Sequence, residues 1–288
     1  MEKCLSETIA VVLCALSALG GEQLMNLPPP EKGGRFKTPT DLVWPEKPGD
    51  ADVCLWSGDR FAACSITIDD NCKPDHGWWL KLSEELGIKL TWFVITDHCV
   101  HKRNAGFNGT WADWQKLADA GGKGHVQMVA FGETQEEPKW IRGNKALKRG
   151  WNIVLYHFVH AGRTDDDREK NAAVAEKEVR YIASLKDERL WVCRFDDAAK
   201  YGQERDSAML TSALKGKVIE FTLTDRMKDD IFDYPLTVKV RLPNGWKSAK
   251  ATQGGKLVPV RFVTHEGAPF ALVDAIPDRG VVRVVSGS

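Results

Sequence analysis

The stretch AACSITIDDN (Ala62–Asn71), followed one helix-length later by IKLTWFVI (Ile88–Ile95), decides the fold of this chain. Each is a short run of apolar and β-branched residues without the alternation of a half-exposed strand. That is the pattern of a strand buried on both faces. Between them, DHGWWLKLSEELG (Asp75–Gly87) reads as a helix closed by a glycine, the residue that most easily takes the left-handed conformation ending a helix. Working outward, GTWADWQKLADAGG (Gly109–Gly122) is a second helix and WNIVLYHFV (Trp151–Val159) another buried strand. A charged helix is expected over about 166–186, then RLWVCRF (Arg189–Phe195) as a strand and DAAKYGQERDSAMLTSAL (Asp197–Leu214) as a helix. Alternating strands and helices predict an α/β module with a parallel sheet or barrel.

The two ends of the chain read differently. From about residue 218 helical patterns stop. IEFTLTD, PLTVKVRLP, KLVPVRFVT, PFALVDAIP and GVVRVVS read as short strands, with turns at Asn244-Gly245 and Gly254-Gly255. They predict a small antiparallel β domain. At the other end, Ile9–Gly20 is an apolar run of 12 residues, shorter than the roughly 20 needed to span a bilayer. It fits the apolar region of a secretory signal or a buried N-terminal helix. Residues 22–58 form a Pro-rich lead-in. The expected layout is therefore a signal over 1–21, the lead-in over 22–58, an α/β domain over 59–215 and a β-rich accessory domain over 216–288.

Composition excludes several function classes. The 40 Lys+Arg balance 40 Asp+Glu, so there is no surplus of cations to neutralise nucleic-acid phosphates or to hold a polybasic membrane anchor. The seven cysteines include no CxxC pair, which argues against a zinc ribbon. Without the expected signal five remain, enough for two disulfides or for none. No Walker A, G-x-G-x-x-G or G-x-S-x-G motif occurs, so neither nucleotide binding nor a serine-nucleophile elbow is supported. The 11 tryptophans suit either a core or a sugar-stacking surface. Trp78, Trp79, Trp111 and Trp114 are the ones near the chemistry-bearing residues.

Those residues gather at predicted strand ends, where α/β proteins build active sites. Asp69 and Asp70 end the first strand. Two adjacent carboxylates there repel unless a cation or a proton intervenes, so they suit a metal beside a base, or alternatively the cap of the next helix. His157 ends the strand WNIVLY, where an imidazole that titrates near neutrality suits acid–base work. His125 follows the Gly121–Gly124 run. His76, His98 and His160 are further candidates for ligands or solvent-facing residues. Asn108-Gly109-Thr110 is a glycosylation sequon or an ordinary turn.

Taken together, SITIDDN (Ser65–Asn71), WADWQKLADAGGKGH (Trp111–His125) and IVLYHFV (Ile153–Val159) resemble three motifs of the polysaccharide deacetylase family, the NodB-homology or carbohydrate esterase 4 domain. The resemblance runs over about residues 60–210. It implies an incomplete (β/α) barrel of the deacetylase type and a metal-dependent hydrolase that removes acetyl groups from N-acetylated or O-acetylated polysaccharide. It implies Asp69 as general base, Asp70 and His125 as ligands of one divalent metal, most often zinc, and His157 as the general acid that protonates the leaving amine. It also implies a carbohydrate polymer or oligosaccharide as partner, while the signal reading of Ile9–Gly20 points to a secreted or periplasmic protein with no membrane span. Substrate-binding residues and oligomeric state stay open.

The chain departs from the family's pattern. A second metal His belongs about four residues after His125, where this sequence has Met128 and Val129. The family's Arg-x-Pro-Tyr-like segment is missing, and only about 25 residues separate His125 from the next strand. The α/β module has about 150–160 residues, against about 250 for a full barrel of this kind. One or two βα units are absent after His125. The alternative reading is therefore a catalytically inactive relative that binds carbohydrate or serves a structural role.

Overall fold

The computed structural model describes residues 43–102, 104–120, 126–129, 150–186 and 190–287. The predicted signal, most of the lead-in and His125 lie outside them. Contacts among the described residues divide the chain into two units, Ala62–Ala198 and a second made of residues 43–61 with 199–287. The first strand, β1 (Ala51–Val53), belongs to the second unit.

The first unit is built on β2 (Ala62–Ile68), whose seven residues are all buried. The helix α1 (His76–Leu86) follows and ends at Gly87, which sits at φ 58°. Trp79 and Leu82 face the core at helical spacing. Next come β3 (Leu90–Phe93), two short helices, α2 (Thr96–Val100) and α3 (Ala105–Asn108), then α4 (Trp111–Ala120) and β4 (Val126–Val129). The strand β5 (Trp151–Tyr156) leads to the 20-residue helix α5 (Asp165–Ser184). A reciprocal capping box between Thr164 and Asp167 starts α5, with three aspartates in its first turn, where negative charge meets the positive end of the helix dipole. After β6 (Leu190–Val192), α6 (Phe195–Ser207) carries the chain across the division between the units.

All strand pairs in this unit are parallel, in the order β4-β3-β2-β5, with β6 also on β2. One edge of β2 pairs with β5 from Ala63 to Ile68. Its other edge is shared: β6 takes Ala62–Cys64 and β3 takes Ile66–Ile68. Among the described residues the sheet is open. Ile66 and Ile68 are fully buried at its centre, each contributing about 1.5–3 kcal/mol relative to an exposed position.

The second unit holds two antiparallel sheets. One has the order β1-β9-β13-β12, made of β1, β9 (Leu236–Arg241), β12 (Val260–His265) and β13 (Ala268–Ala275). The other has the order β11-β10-β14-β8-β7, made of β7 (Met209–Lys215), β8 (Val218–Thr224), β10 (Ala249–Gln253), β11 (Lys256–Val258) and β14 (Val282–Ser286). Three details differ from the sequence reading. Met209–Lys215, expected as helix, is a strand. A two-residue turn at Gly216-Lys217 pairs it with β8, Gly216 supplying φ 63°, and that pairing outweighs the helix propensity of Ala, Met and Leu. KLVPVRFVT breaks into two strands at Pro259, which cannot donate to a ladder. The end of the lead-in supplies β1.

The buried Lys239 in β9 joins the lead-in to this unit. Its ammonium lies 2.7 Å from Asp59, donates to the Val43 carbonyl at 3.0 Å and sits 3.7 Å from the Trp44 ring centre. Tyr201 donates its hydroxyl to the Cys54 carbonyl at 2.8 Å. The five described cysteines, Cys54, Cys64, Cys72, Cys99 and Cys193, are free and buried.

Candidate functional site

Parallel pairing of β2 with β5 puts Ile68 opposite Tyr156, and the Asp69 N–H donates to the Tyr156 carbonyl at 2.9 Å. The residues leaving the two strands, Asp69-Asp70 and His157, therefore emerge side by side. His157 Nε2 lies 3.5 Å from Asp70 Oδ2, with both side chains substantially exposed. The fold thus brings together three of the four residues singled out from sequence. The fourth, His125, lies outside the described residues.

The backbone turns sharply at the aspartates. Asp70, Asn71 and Cys72 have φ of 57°, 63° and 33°, three consecutive left-handed residues of which none is glycine. Such conformations cost free energy and persist where surrounding contacts hold them. Asn71 supplies those contacts. Its buried amide accepts from the Ile95 N–H at 2.6 Å and donates to the Asn108 carbonyl at 3.0 Å. This links the β2 turn to the segments after β3. The Cys72 thiol donates to the Asp69 carbonyl at 3.2 Å. Burial, reinforced by the charges of Asp75, Asp70 and Asp69, pushes that thiol up to about 12, so it is not a thiolate nucleophile at neutral pH.

Capping does not account for the Asp pair. The helix α1 begins at His76, six residues after Asp70, and its N-cap position is Asp75. Asp75 makes no side-chain cap bond either. It is fully buried. One carboxylate oxygen accepts the Val159 N–H at 2.7 Å and the other meets His160 Nδ1 at 2.5 Å. Burial raises the Asp75 carboxyl above its ordinary value, while the hydrogen bonds from His160 and Val159 pull it back. Sequence reading missed this pair, because an Asp before a helix already has a local explanation.

The other histidines divide by environment. His76 donates to the Asn71 carbonyl at 3.1 Å and packs against Trp92 and Trp114, with ring centres 5.8 Å and 4.5 Å away. Burial lowers its pKa, so it is a neutral core residue. His98 sits in α2, with Nδ1 buried and lacking a partner among the described residues. Trp79 and Trp114 are fully buried and form core, whereas Trp78 and Trp111 are half-buried. Asn108 of the sequon is buried, and its carbonyl receives the Asn71 amide and the Trp114 indole N–H. Thr110 is tied to Asp113. The sequon therefore serves as a structural turn.

Zinc takes three or four protein ligands. Among the described residues no group of three or more His, Cys, Asp or Glu side chains converges to hold a metal. These residues alone do not fit the metal that the resemblance implies. Positions 128 and 129, where the family's second His belongs, lie in β4, opposite Trp92 and Phe93 of β3. No helix among the described residues is long and apolar enough to cross a membrane.

No family model matches this chain, and no solved structure matches it. Among curated proteins, it is similar to a gellan lyase from a Bacillus species, with 28% identity over 358 residues. The match covers 92% of this chain but 14% of the relative, so the chain spans about one-seventh of that protein's length. The alignment is longer than the chain's 288 residues. The relative therefore carries residues within the matched span that have no counterpart here.

Proposed function

We propose that this chain acts on polysaccharide as a hydrolase of the deacetylase lineage, removing N-acetyl or O-acetyl groups at Asp69, Asp70 and His157. The observation that carries the reading is the approach of Asp70 and His157, 3.5 Å apart, at the C-terminal ends of adjacent parallel strands. In this reading Asp69 takes a proton from the attacking water as the water oxygen bonds to the acyl carbon. His157, as imidazolium, gives its proton to the leaving nitrogen or oxygen as the bond to that carbon breaks. A divalent metal, zinc by the resemblance, belongs to the proposal only through Asp70 with His125.

The open parallel sheet is read as an incomplete (β/α) barrel. The likeness to a gellan lyase supports a carbohydrate partner and is neutral on hydrolysis. A secreted or periplasmic location is part of the same proposal, supported by the apolar run Ile9–Gly20. The second reading, an inactive relative that binds carbohydrate, is favoured by the lack of a three-donor group among the described residues.

Acetate release from N-acetylglucosamine oligomers, with and without added zinc or cobalt, separates the two. Asp69→Asn and His157→Gln should each lower turnover by about 10²–10⁴-fold while leaving the fluorescence of the folded protein unchanged. If the unaltered chain releases no acetate under any of these conditions, the hydrolase reading is wrong. Saturable quenching of tryptophan fluorescence by the same oligomers would then favour the binding reading.

A further inference from the structure

We propose that the Asp75–His160 pair and the half-buried Trp78 form a binding subsite for a neutral pyranose unit, with His160 Nε2 accepting a hydrogen bond from a sugar hydroxyl. The inference rests on the carbohydrate partner proposed above, and needs neither the hydrolytic chemistry nor a metal.

Two carboxylate–imidazole pairs bridge the same two loops. The loop leaving β2 carries Asp70 and, five residues on, Asp75. The loop leaving β5 carries His157 and, three residues on, His160. The first pair is exposed. In the second the carboxylate is fully buried while the imidazole keeps about a third of its surface in solvent, at 32%. Both Asp75 oxygens are engaged, one by the Val159 N–H at 2.7 Å and one by His160 Nδ1 at 2.5 Å. A carboxylate on Nδ1 fixes the ring orientation and selects the Nδ1–H tautomer, in which Nε2 carries a lone pair. Among the described residues Nε2 has no hydrogen-bond partner. The Trp78 ring stands perpendicular to the imidazole, with centres 5.7 Å apart, which sets an aromatic surface beside a fixed acceptor. Saccharides need that combination, because they present apolar C–H faces edged by hydroxyls. Stability does not call for the pair, because burying the Asp75 carboxylate is costly.

The test is titration of the full chain with an N-acetylglucosamine tetramer and a gellan oligosaccharide, read by calorimetry and by long-range proton–nitrogen NMR of the histidine rings. His160 should show the Nδ1–H tautomer when free and a shifted Nε2 resonance on binding. His160→Ala and Trp78→Ala should each weaken binding by about 3–10-fold. Asp75→Asn should weaken binding to a similar degree and lose the tautomer preference. Should His160→Ala fail to fold, His160→Asn and Trp78→Phe make the same comparison. Binding that these variants leave unchanged, or a His160 signal that saccharide does not move, overturns the subsite and leaves the proposed function standing. Absence of both binding and acetate release in the unaltered chain removes the two together.

Discussion

Replacing Asn71 tests how the fold holds its candidate catalytic turn. The side chain is fully buried, and its carbonyl oxygen is the acceptor for the Ile95 N–H at 2.6 Å. Asn71→Ala leaves that part-buried N–H without its partner, at a cost of about 1–2 kcal/mol. The Asn108 carbonyl also loses a donor but keeps the Trp114 indole at 3.2 Å, so its share is smaller, about 0.5–1 kcal/mol. Alanine must also occupy φ 63°, where asparagine is tolerated and most L-residues pay about 1 kcal/mol. The expected loss is about 2.5–4 kcal/mol. Asn71→Gly separates the contributions. Glycine loses the same hydrogen bonds but accepts the left-handed backbone, partly offset by its greater freedom when unfolded, so it should be about 0.5–1 kcal/mol less damaging than alanine. Urea unfolding followed through the buried Trp79, Trp92 and Trp114 measures both. A loss below about 1 kcal/mol for Asn71→Ala, or glycine proving worse than alanine, would refute the role assigned to the side chain and the turn.

Two further predictions concern the second unit. Glu204 is buried in α6, with one oxygen accepting the Tyr234 N–H at 3.0 Å and the other lacking a partner among the described residues. Desolvation raises its carboxyl from the ordinary 4.5 to about 8. The unfolded chain ionises first, so this contribution to stability is complete below about pH 4.5 and is lost as pH rises towards 8. The fall should amount to a few kcal/mol, and Glu204→Gln should flatten it in denaturation series at pH 5, 7 and 9; an unchanged slope would contradict the assignment. Lys239→Met should cost about 3–5 kcal/mol by leaving the largely covered Asp59 without its cation, and adding Asp59→Asn should recover much of that. A double-mutant cycle reads the coupling, and strictly additive losses would show that the pair is not the origin of the effect.

The first unit was legible where burial is written continuously. β2 and β3 are near-continuous apolar runs and are buried as read, whereas β5, read as equally buried, is buried at Val154 and exposed at Ile153; the placement of Asp69, Asp70 and His157 follows from knowing where these strands end. What escaped the sequence depends on partners far along the chain. Asp75 and His160 are 85 positions apart, and nothing local distinguishes Asp75 from a helix cap. Met209–Lys215 consists largely of helix-tolerant residues and becomes a strand through its hairpin with β8. β1 has three residues, too few for any periodicity, and exists through its pairing with β9. The left-handed run at Asp70–Cys72 contains no glycine to announce it.

The pairing of Ala51 with Val240 has a consequence for how the chain is made. At about 5–20 residues per second, residues 43–61 leave the ribosome on the order of ten to forty seconds before the β9 backbone and Lys239 that they pair with. The unit Ala62–Ala198 is continuous in sequence and is complete on its own during that interval. The second unit is closed around it in time: its first strand must wait, unpaired, for its last hairpins. A fragment begun at residue 199 would carry β9 without β1, and Lys239 without Asp59 or Trp44. Expressed alone, such a fragment would therefore present an uncovered sheet edge and a buried ammonium with no counter-charge, the conditions under which β domains aggregate.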